Sequence, residues 1–310
     1  MTIDPREVFP AHLGEICDVG RIAGGLSGAD VYTVTSATGA FVLRIQGEQR
    51  AAWSRTIALQ RLASDAGVAP RLAWVDEARA ISVSVKIDGV PFAVAVGDPA
   101  QRAAALMSVT EALARLHGIP LDPALVPPLD LLAVSRAIWA SQRRRPGFPA
   151  WAAALENRLE AACAIAARDE RRVFSHNDLN PMNMLWDGQR VWLLDWDTAG
   201  AAHPYMDLAT LSNFLNLPDG DALGLLAAQE RAPIDGAGRE MLAAYRELSR
   251  IVYGSVFLKL VPDLAAITFA SRAETLTLAD CYARMAAGTL SPYEPGGQAM
   301  IAVALFKQCE

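Results

Sequence analysis

Ser175-His176-Asn177-Asp178-Leu179-Asn180-Pro181-Met182-Asn183 is followed, twelve residues beyond Asn183, by Asp195 in Leu193-Leu194-Asp195-Trp196-Asp197. Between them lies a hairpin pattern. Met184-Leu185-Trp186 reads as a short strand, Asp187-Gly188 as a turn and Val191-Trp192-Leu193-Leu194 as the returning strand. Asn183 precedes the first strand and Asp195 follows the second, so the hairpin sets them side by side at its open end. Asp178 sits one short loop upstream of the same place. Hard oxygen donors gathered on a loop, without Cys and with few His, suit Mg²⁺ rather than zinc.

The spacing His-x-Asp-x-x-x-x-Asn, then Asp after a hairpin, resembles the catalytic loop and metal-binding Asp of the kinase fold. With His176-Asn177-Asp178 and Asp195-Trp196-Asp197, the chain resembles the small-molecule kinases, the aminoglycoside phosphotransferase and choline/ethanolamine kinase families. Protein kinases carry His-Arg-Asp and Asp-Phe-Gly at these points. No Ala-Pro-Glu segment follows, so an activation loop is not expected.

The resemblance implies an α+β, bilobal protein-kinase-like fold. A small antiparallel-sheet lobe with one main helix would bind nucleotide (residues 1–88). A larger, mostly helical lobe would hold the catalytic loop and the acceptor (89–310). It implies ATP and Mg²⁺ as cofactors, with Asp178 receiving or orienting the acceptor's hydroxyl proton and Asn183 and Asp195 as metal ligands. By the same resemblance His176 supports the loop and Asp207 braces it. Asp197 is open between an outer partner of the metal ligands and a contact to a cationic substrate.

The amino-terminal third reads strand, Gly-rich turn, strand: Val19–Ala23, Gly24-Gly25-Leu26-Ser27-Gly28, Ala29–Val34, then a third strand at Phe41–Ile45. A helical pattern runs from about Gln49 to Ala66, ended by Gly67 and Pro70, and further strands are expected near Arg71–Val75 and Ile81–Ile87. Gly24, Gly25, Ser27 and Gly28 would cover the ATP phosphates with backbone N–H groups. Backbone groups from Val85 to Ile87 would meet adenine. Arg44 stands where the family places a phosphate-binding Lys, and an Arg fork can serve. The family pairs that cation with a helix Glu; here the position holds Thr56. The acids between Arg44 and Asp76 are Glu48 and Asp65, one at the helix start and one near its end.

Bulk properties set bounds. The 310 residues suffice for one large or two modest cores. A net charge of −6 argues against nucleic acid or an anionic membrane as main partner and is compatible with a cationic small acceptor. Cys17, Cys163, Cys281 and Cys309 have no metal spacing and read as reduced thiols. The amino terminus is not a signal peptide, and the apolar run from Ile251 to Ala270 is broken by Lys259, Pro262 and Asp263. That run is expected to be a buried helix pair rather than a membrane span, and the protein to be cytoplasmic. Arg143-Arg144-Arg145 reads as a solvated helix end. Aromatic residues such as Trp139, Trp186, Trp196, Tyr205 and Tyr245 offer either core or a cation–π surface for a quaternary ammonium.

Two functions from different classes follow. One is an ATP- and Mg²⁺-dependent small-molecule kinase. The other is a nucleotide-binding pseudokinase with a regulatory role, suggested by the missing helix Glu. The sequence leaves the acceptor open between choline/ethanolamine and aminoglycoside types, and is silent on oligomeric state.

Overall fold

The computed structural model describes residues 3–22, 29–46 and 50–309. The chain forms two compact units, residues 1–128 with 173–201, and residues 129–172 with 202–310. The expected lobe boundary at residue 88 falls inside the first unit.

The first unit opens with a short helix α1 (Pro5–Val8) and the strands β1 (Ile16–Arg21), β2 (Asp30–Ser36) and β3 (Gly39–Ile45). Helix α2 (Arg50–Asp65) follows, then β4 (Leu72–Asp76) and β5 (Ile81–Val85). The five strands pair antiparallel in the order β1-β2-β3-β5-β4. β5 stops at Val85, two residues short of the expected end. Alternation along β3 decides what each face carries: Phe41, Leu43 and Ile45 join Tyr32, Val34, Ile81 and Val83 in a buried apolar cluster. Arg44, with the opposite parity, leaves that face.

The chain continues through β6 (Val90–Pro91), α3 (Phe92–Gly97) and α4 (Arg102–His117), then returns at β7 (Val173–Ser175), β8 (Met184–Trp186), β9 (Val191–Leu193) and β10 (Gly200–Ala202). The β8–β9 hairpin pairs Met184 with Leu193, Leu185 with Trp192 and Trp186 with Val191. Its turn is held by Asp187, whose Oδ1 accepts from the N–H groups of Gln189 (2.9 Å) and Arg190 (2.8 Å), and Gly188 takes φ +92° there. Two bonds anchor the hairpin: Val191 N–H donates to Ser108 Oγ of α4 at 2.8 Å, and Leu193 N–H to the Val68 carbonyl, also at 2.8 Å.

The second unit is helical, with α5 (Leu131–Arg143), α6 (Leu155–Ala166), α7 (Tyr205–Phe214), α8 (Asp219–Glu230), α9 (Gly236–Leu260), α10 (Leu278–Ala286) and α11 (Pro295–Lys307). Helix α9 is the central element, packed against α5, α6, α7 and α11. Every residue of α7 is buried, Asp207 included. Trp139, Tyr205 and Tyr245 are buried in this core, and Trp186 and Trp196 in that of the first unit, so these aromatics are packing residues rather than an open box.

Two expectations are corrected here. Residues 251–270 are not a helix pair: α9 ends at Leu260, and residues 261–270 form no helix. Pro262 cannot donate to a continued helix. Arg145 is not solvated either. It donates to the carbonyls of Leu258 (2.6 Å), Val261 (2.5 Å) and Pro262 (3.0 Å), adding side-chain bonds to the carbonyls at and just beyond the end of α9. All four cysteines are free, with Cys163, Cys281 and Cys309 buried. Among the described residues no helix is long and apolar enough to cross a membrane.

Candidate active site

The residues of the Asp178 loop converge within the first unit because the chain turns sharply at three points besides the hairpin turn. Asn177 sits in the left-handed region at φ +61°, and its Nδ2 donates to the carbonyls of Ser175 (3.3 Å), Thr198 (3.2 Å) and Gly200 (3.4 Å). Those bonds stabilise a backbone that most residues avoid. Next, Pro181–Asn183 forms a 3₁₀ turn capped by Asn180, whose Oδ1 accepts from Met182 N–H at 2.7 Å. Third, Asp195 itself takes φ +63°.

His176 is fully buried. Its Nδ1 accepts from the Asp178 N–H at 3.3 Å, and its Nε2 meets the Leu194 carbonyl at 2.8 Å. The ring lies edge-on to Trp196, centroids 4.7 Å apart. It therefore ties the Asp178 loop to the strand end bearing Asp195. Thr198 Oγ1 adds a bond to the His176 carbonyl at 3.1 Å.

Asn183 and Asp178 are joined directly: Asn183 Nδ2 donates to Asp178 Oδ2 at 2.7 Å and to the Asp178 carbonyl at 3.1 Å. Asn180 Nδ2 approaches Asp178 Oδ1 at 3.4 Å. Leu194 N–H bonds the Asn183 carbonyl at 2.8 Å, extending the hairpin ladder to the residue before Asp195. The open end of the hairpin therefore brings Asp178, Asn183 and Asp195 into one cluster, as the spacing implied.

Asp195 is electrostatically uncomfortable. Its Oδ1 is buried without a hydrogen-bond partner, although the side chain as a whole is 39% exposed. Burial first, then the negative charges of Asp197 and Asp178, push its carboxyl above the usual carboxylate range, with Arg44 pulling the other way. Such a group calls for a cation. Among the described residues no three His, Cys, Asp or Glu side chains gather as a metal cage. A carboxylate and the carboxamide oxygen of Asn183 are few ligands, which suits an ion that keeps waters and phosphate oxygens, as Mg²⁺ does.

Arg44 reaches the same cluster from β3. Its Nη2 donates to Asp197 Oδ2 at 3.1 Å, and its Nη1 lies 3.8 Å from Asp195 Oδ1. Thr56 Oγ1, from α2, donates to the other Asp197 oxygen at 2.9 Å.

The remaining expected residues lie elsewhere. Gly24, Gly25, Ser27 and Gly28 fall outside the described residues, as does Glu48. Val85 N–H is spent on the Arg71 carbonyl at 2.8 Å and Lys86 N–H on that of Ala40 at 2.9 Å. An adenine contact near Val85 and Ile87 would therefore rest on other backbone groups of that stretch. Asp207 lies in the second unit, fully buried in α7. Sequence reasoning missed Asn180, although a cap residue before Pro at the first helical position is a readable signal. It also missed the Arg44–Asp197–Thr56 contact, for which no local signal exists.

The family model of the phosphotransferase enzyme family matches residues 18–248, a span that includes β3, the catalytic loop and the hairpin. The chain belongs to that family. A search among curated proteins found no match. Solved structures of the phosphotransferase family share the fold. A choline/ethanolamine kinase family protein from Mesorhizobium loti superposes with a TM-score of 0.69 at 24% identity, over 96% of each chain. Choline kinase LicA from Streptococcus pneumoniae gives 0.60 at 16% identity, over 84% of this chain and 90% of that one; LicA has also been determined with AMP. An aminoglycoside phosphotransferase from Streptomyces rimosus, in complex with ADP and streptomycin, gives 0.50 at 23% identity, over 73% and 94%. The kinase-like α+β expectation therefore holds, and the protein is a phosphotransferase.

Proposed function

We propose that this phosphotransferase moves the γ-phosphoryl group of ATP, with Mg²⁺, to a hydroxyl of a small, cationic molecule of the choline/ethanolamine or aminoglycoside kind. The observation that carries the reading is the joining of Asp178 to Asn183 at the open end of the hairpin, beside a buried Asp195 oxygen that has no hydrogen-bond partner and lies 3.8 Å from Arg44 Nη1. The acceptor hydroxyl gives its proton to the Asp178 carboxylate as its oxygen bonds the γ-phosphorus. The bond from that phosphorus to the bridging oxygen breaks, and ADP leaves. Asn183 holds Asp178 in place for this transfer, and His176 holds the loop. Asp195 and the Asn183 oxygen would hold Mg²⁺, which when bound neutralises charge on the phosphate oxygens.

Arg44 contributes a permanent positive charge for phosphate oxygens, and the segment Gly24, Gly25, Ser27 and Gly28 backbone donors. Val85 to Ile87 takes adenine. Residues 1–88 serve the nucleotide; 89–310 carry the catalytic loop and the acceptor. Asp207 acts as structural support. The protein works in the cytoplasm, without nucleic acid or membrane as partner. The regulatory alternative, a pseudokinase, rested on the missing helix Glu; Arg44 has carboxylate partners without it.

The test is ATP consumption by the purified protein with Mg²⁺ against choline, ethanolamine, aminoglycosides, other amino alcohols and sugars. Turnover on one member, lost in Asp178→Ala while ATP still binds, is the expected result. ATP binding with no turnover on any member would favour the pseudokinase.

A further inference from the structure

The carboxylate that orients Arg44 comes from an unexpected place. Helix α2 has no acidic residue before Asp65, its last position. In its place Thr56, buried in α2, presents a hydroxyl to Asp197. Asp197 divides its two oxygens: Oδ1 accepts from Thr56 and Oδ2 from Arg44 Nη2. We propose that Asp197 is the positioning residue for Arg44, supplying from the end of the hairpin the charge that a helix Glu would otherwise provide, with Thr56 fixing it to α2. The proposal rests on the reading above in which Arg44 meets the nucleotide phosphates.

The geometry uses what an Arg offers. A Lys ammonium is a compact point charge, whereas the planar fork of an Arg holds its donors at fixed angles. A guanidinium has separate ends. Asp197 takes Nη2, while Nη1 stays directed toward Asp195, 3.8 Å away, at the side where the metal ligand stands. Arg44 is mostly enclosed, its side chain 21% exposed, so the clamp limits the rotamers of a long chain before nucleotide arrives. The Thr56 bond matters because it occupies the second Asp197 oxygen and thereby orients the carboxylate. Of the two roles left open by the sequence, an outer partner of the metal ligands and a contact to a cationic substrate, this clamp is nearer the first, because Arg44 also approaches Asp195.

The test is a double-mutant cycle on the full chain, read as ATP and ADP affinity by calorimetry, with and without Mg²⁺. Asp197→Ala should weaken ATP binding by about tenfold and Thr56→Val by a few-fold, order-of-magnitude losses for an orientation effect. In an Arg44→Ala background, Asp197→Ala should add almost nothing. The Asp197→Ala loss should persist for ADP in EDTA, because a clamp on Arg44 needs no metal. Once an acceptor is known, the loss should fall on KM for ATP more than on kcat. Thr56→Glu combined with Asp197→Ala, which returns the carboxylate to the helix, should recover affinity; this separates a clamp from a fold defect.

If the wild type binds nucleotide but the two losses are additive, or the Asp197→Ala loss vanishes in EDTA, the clamp is wrong and the kinase reading stands. A wild type that binds no nucleotide overturns both.

Discussion

Asn183 spends its amide nitrogen on Asp178, at 2.7 Å to the carboxylate and 3.1 Å to the carbonyl. Its oxygen is therefore the end left to face a cation. One residue thus does two things, and its substitutions should separate from those of a simple ligand. Asn183→Asp places two carboxylates in hydrogen-bond contact, where both cannot ionise readily. We expect a loss in kcat of about 100-fold or more at pH 7, comparable with losing the base itself, with partial recovery as the pH is lowered until the pair holds a single proton and loss again when Asp178 is protonated as well. An Asn183→Asp enzyme with near wild-type kcat at pH 7 would contradict this role.

Asp195→Asn should abolish turnover and yet stabilise the ligand-free protein. A carboxyl whose folded pKa is raised favours the folded state when protonated. That benefit is present below the ordinary value of 3.8 and lost as pH rises through the raised value. At neutral pH the ionised group is therefore a cost, and Arg44 keeps Asp197 when it is removed. The gain is at most about 1 kcal/mol, discounted because part of the side chain meets water. Thermal unfolding with Mg²⁺ and ADP supplies the contrast: ligand should stabilise the wild type and leave the variant nearly unmoved.

His203 makes the second unit sensitive to mild acid. Burial holds its imidazole down to about 4, only partly offset by Asp169, so the ring is neutral at pH 7. Nδ1 accepts from Tyr205 N–H at 3.2 Å, Nε2 lies 3.1 Å from Asp169, and the ring stacks on Tyr245. Asp169 is partly buried, but hydrogen bonds from the Arg171 backbone and side chain outweigh that and bring it to about 2. With the unfolded histidine titrating near 6.5, stability should fall as pH drops from 6.5 toward 4, by up to about 3 kcal/mol. Urea unfolding across that range should show the slope in the wild type and a flatter one in His203→Gln. Equal slopes would mean that another group titrates.

Gly254 on α9 leaves room for a ring of α11. A Cβ there would stand 2.4 Å and 2.6 Å from carbons of Phe306, so Gly254→Ala must displace a fully buried phenylalanine. The expected cost is about 1–3 kcal/mol, read as a lower unfolding midpoint. An unchanged midpoint would show that α11 yields without strain.

The parts of the site legible in the sequence were those made by near neighbours. The hairpin turn at Asp187-Gly188, the apposition of Asn183 and Asp195, and the nearness of Asp178 all follow from contacts spanning few residues. Turn chemistry and strand period decide such contacts. The period of two along β3 likewise removed Arg44 from the apolar face. What periodicity does not encode is which distant residue meets it there. Arg44 and Asp197 are 153 residues apart, and Thr56 and Asp197 are 141 apart. The same limit hid the bonds from Arg145 to the end of α9, across more than a hundred residues. Sequence alone determined the chemistry of the loop, because local backbone geometry assembles it. Only the tertiary structure decided the partner of Arg44, because a carboxylate can be delivered to one point in space from any element whose packing brings it there.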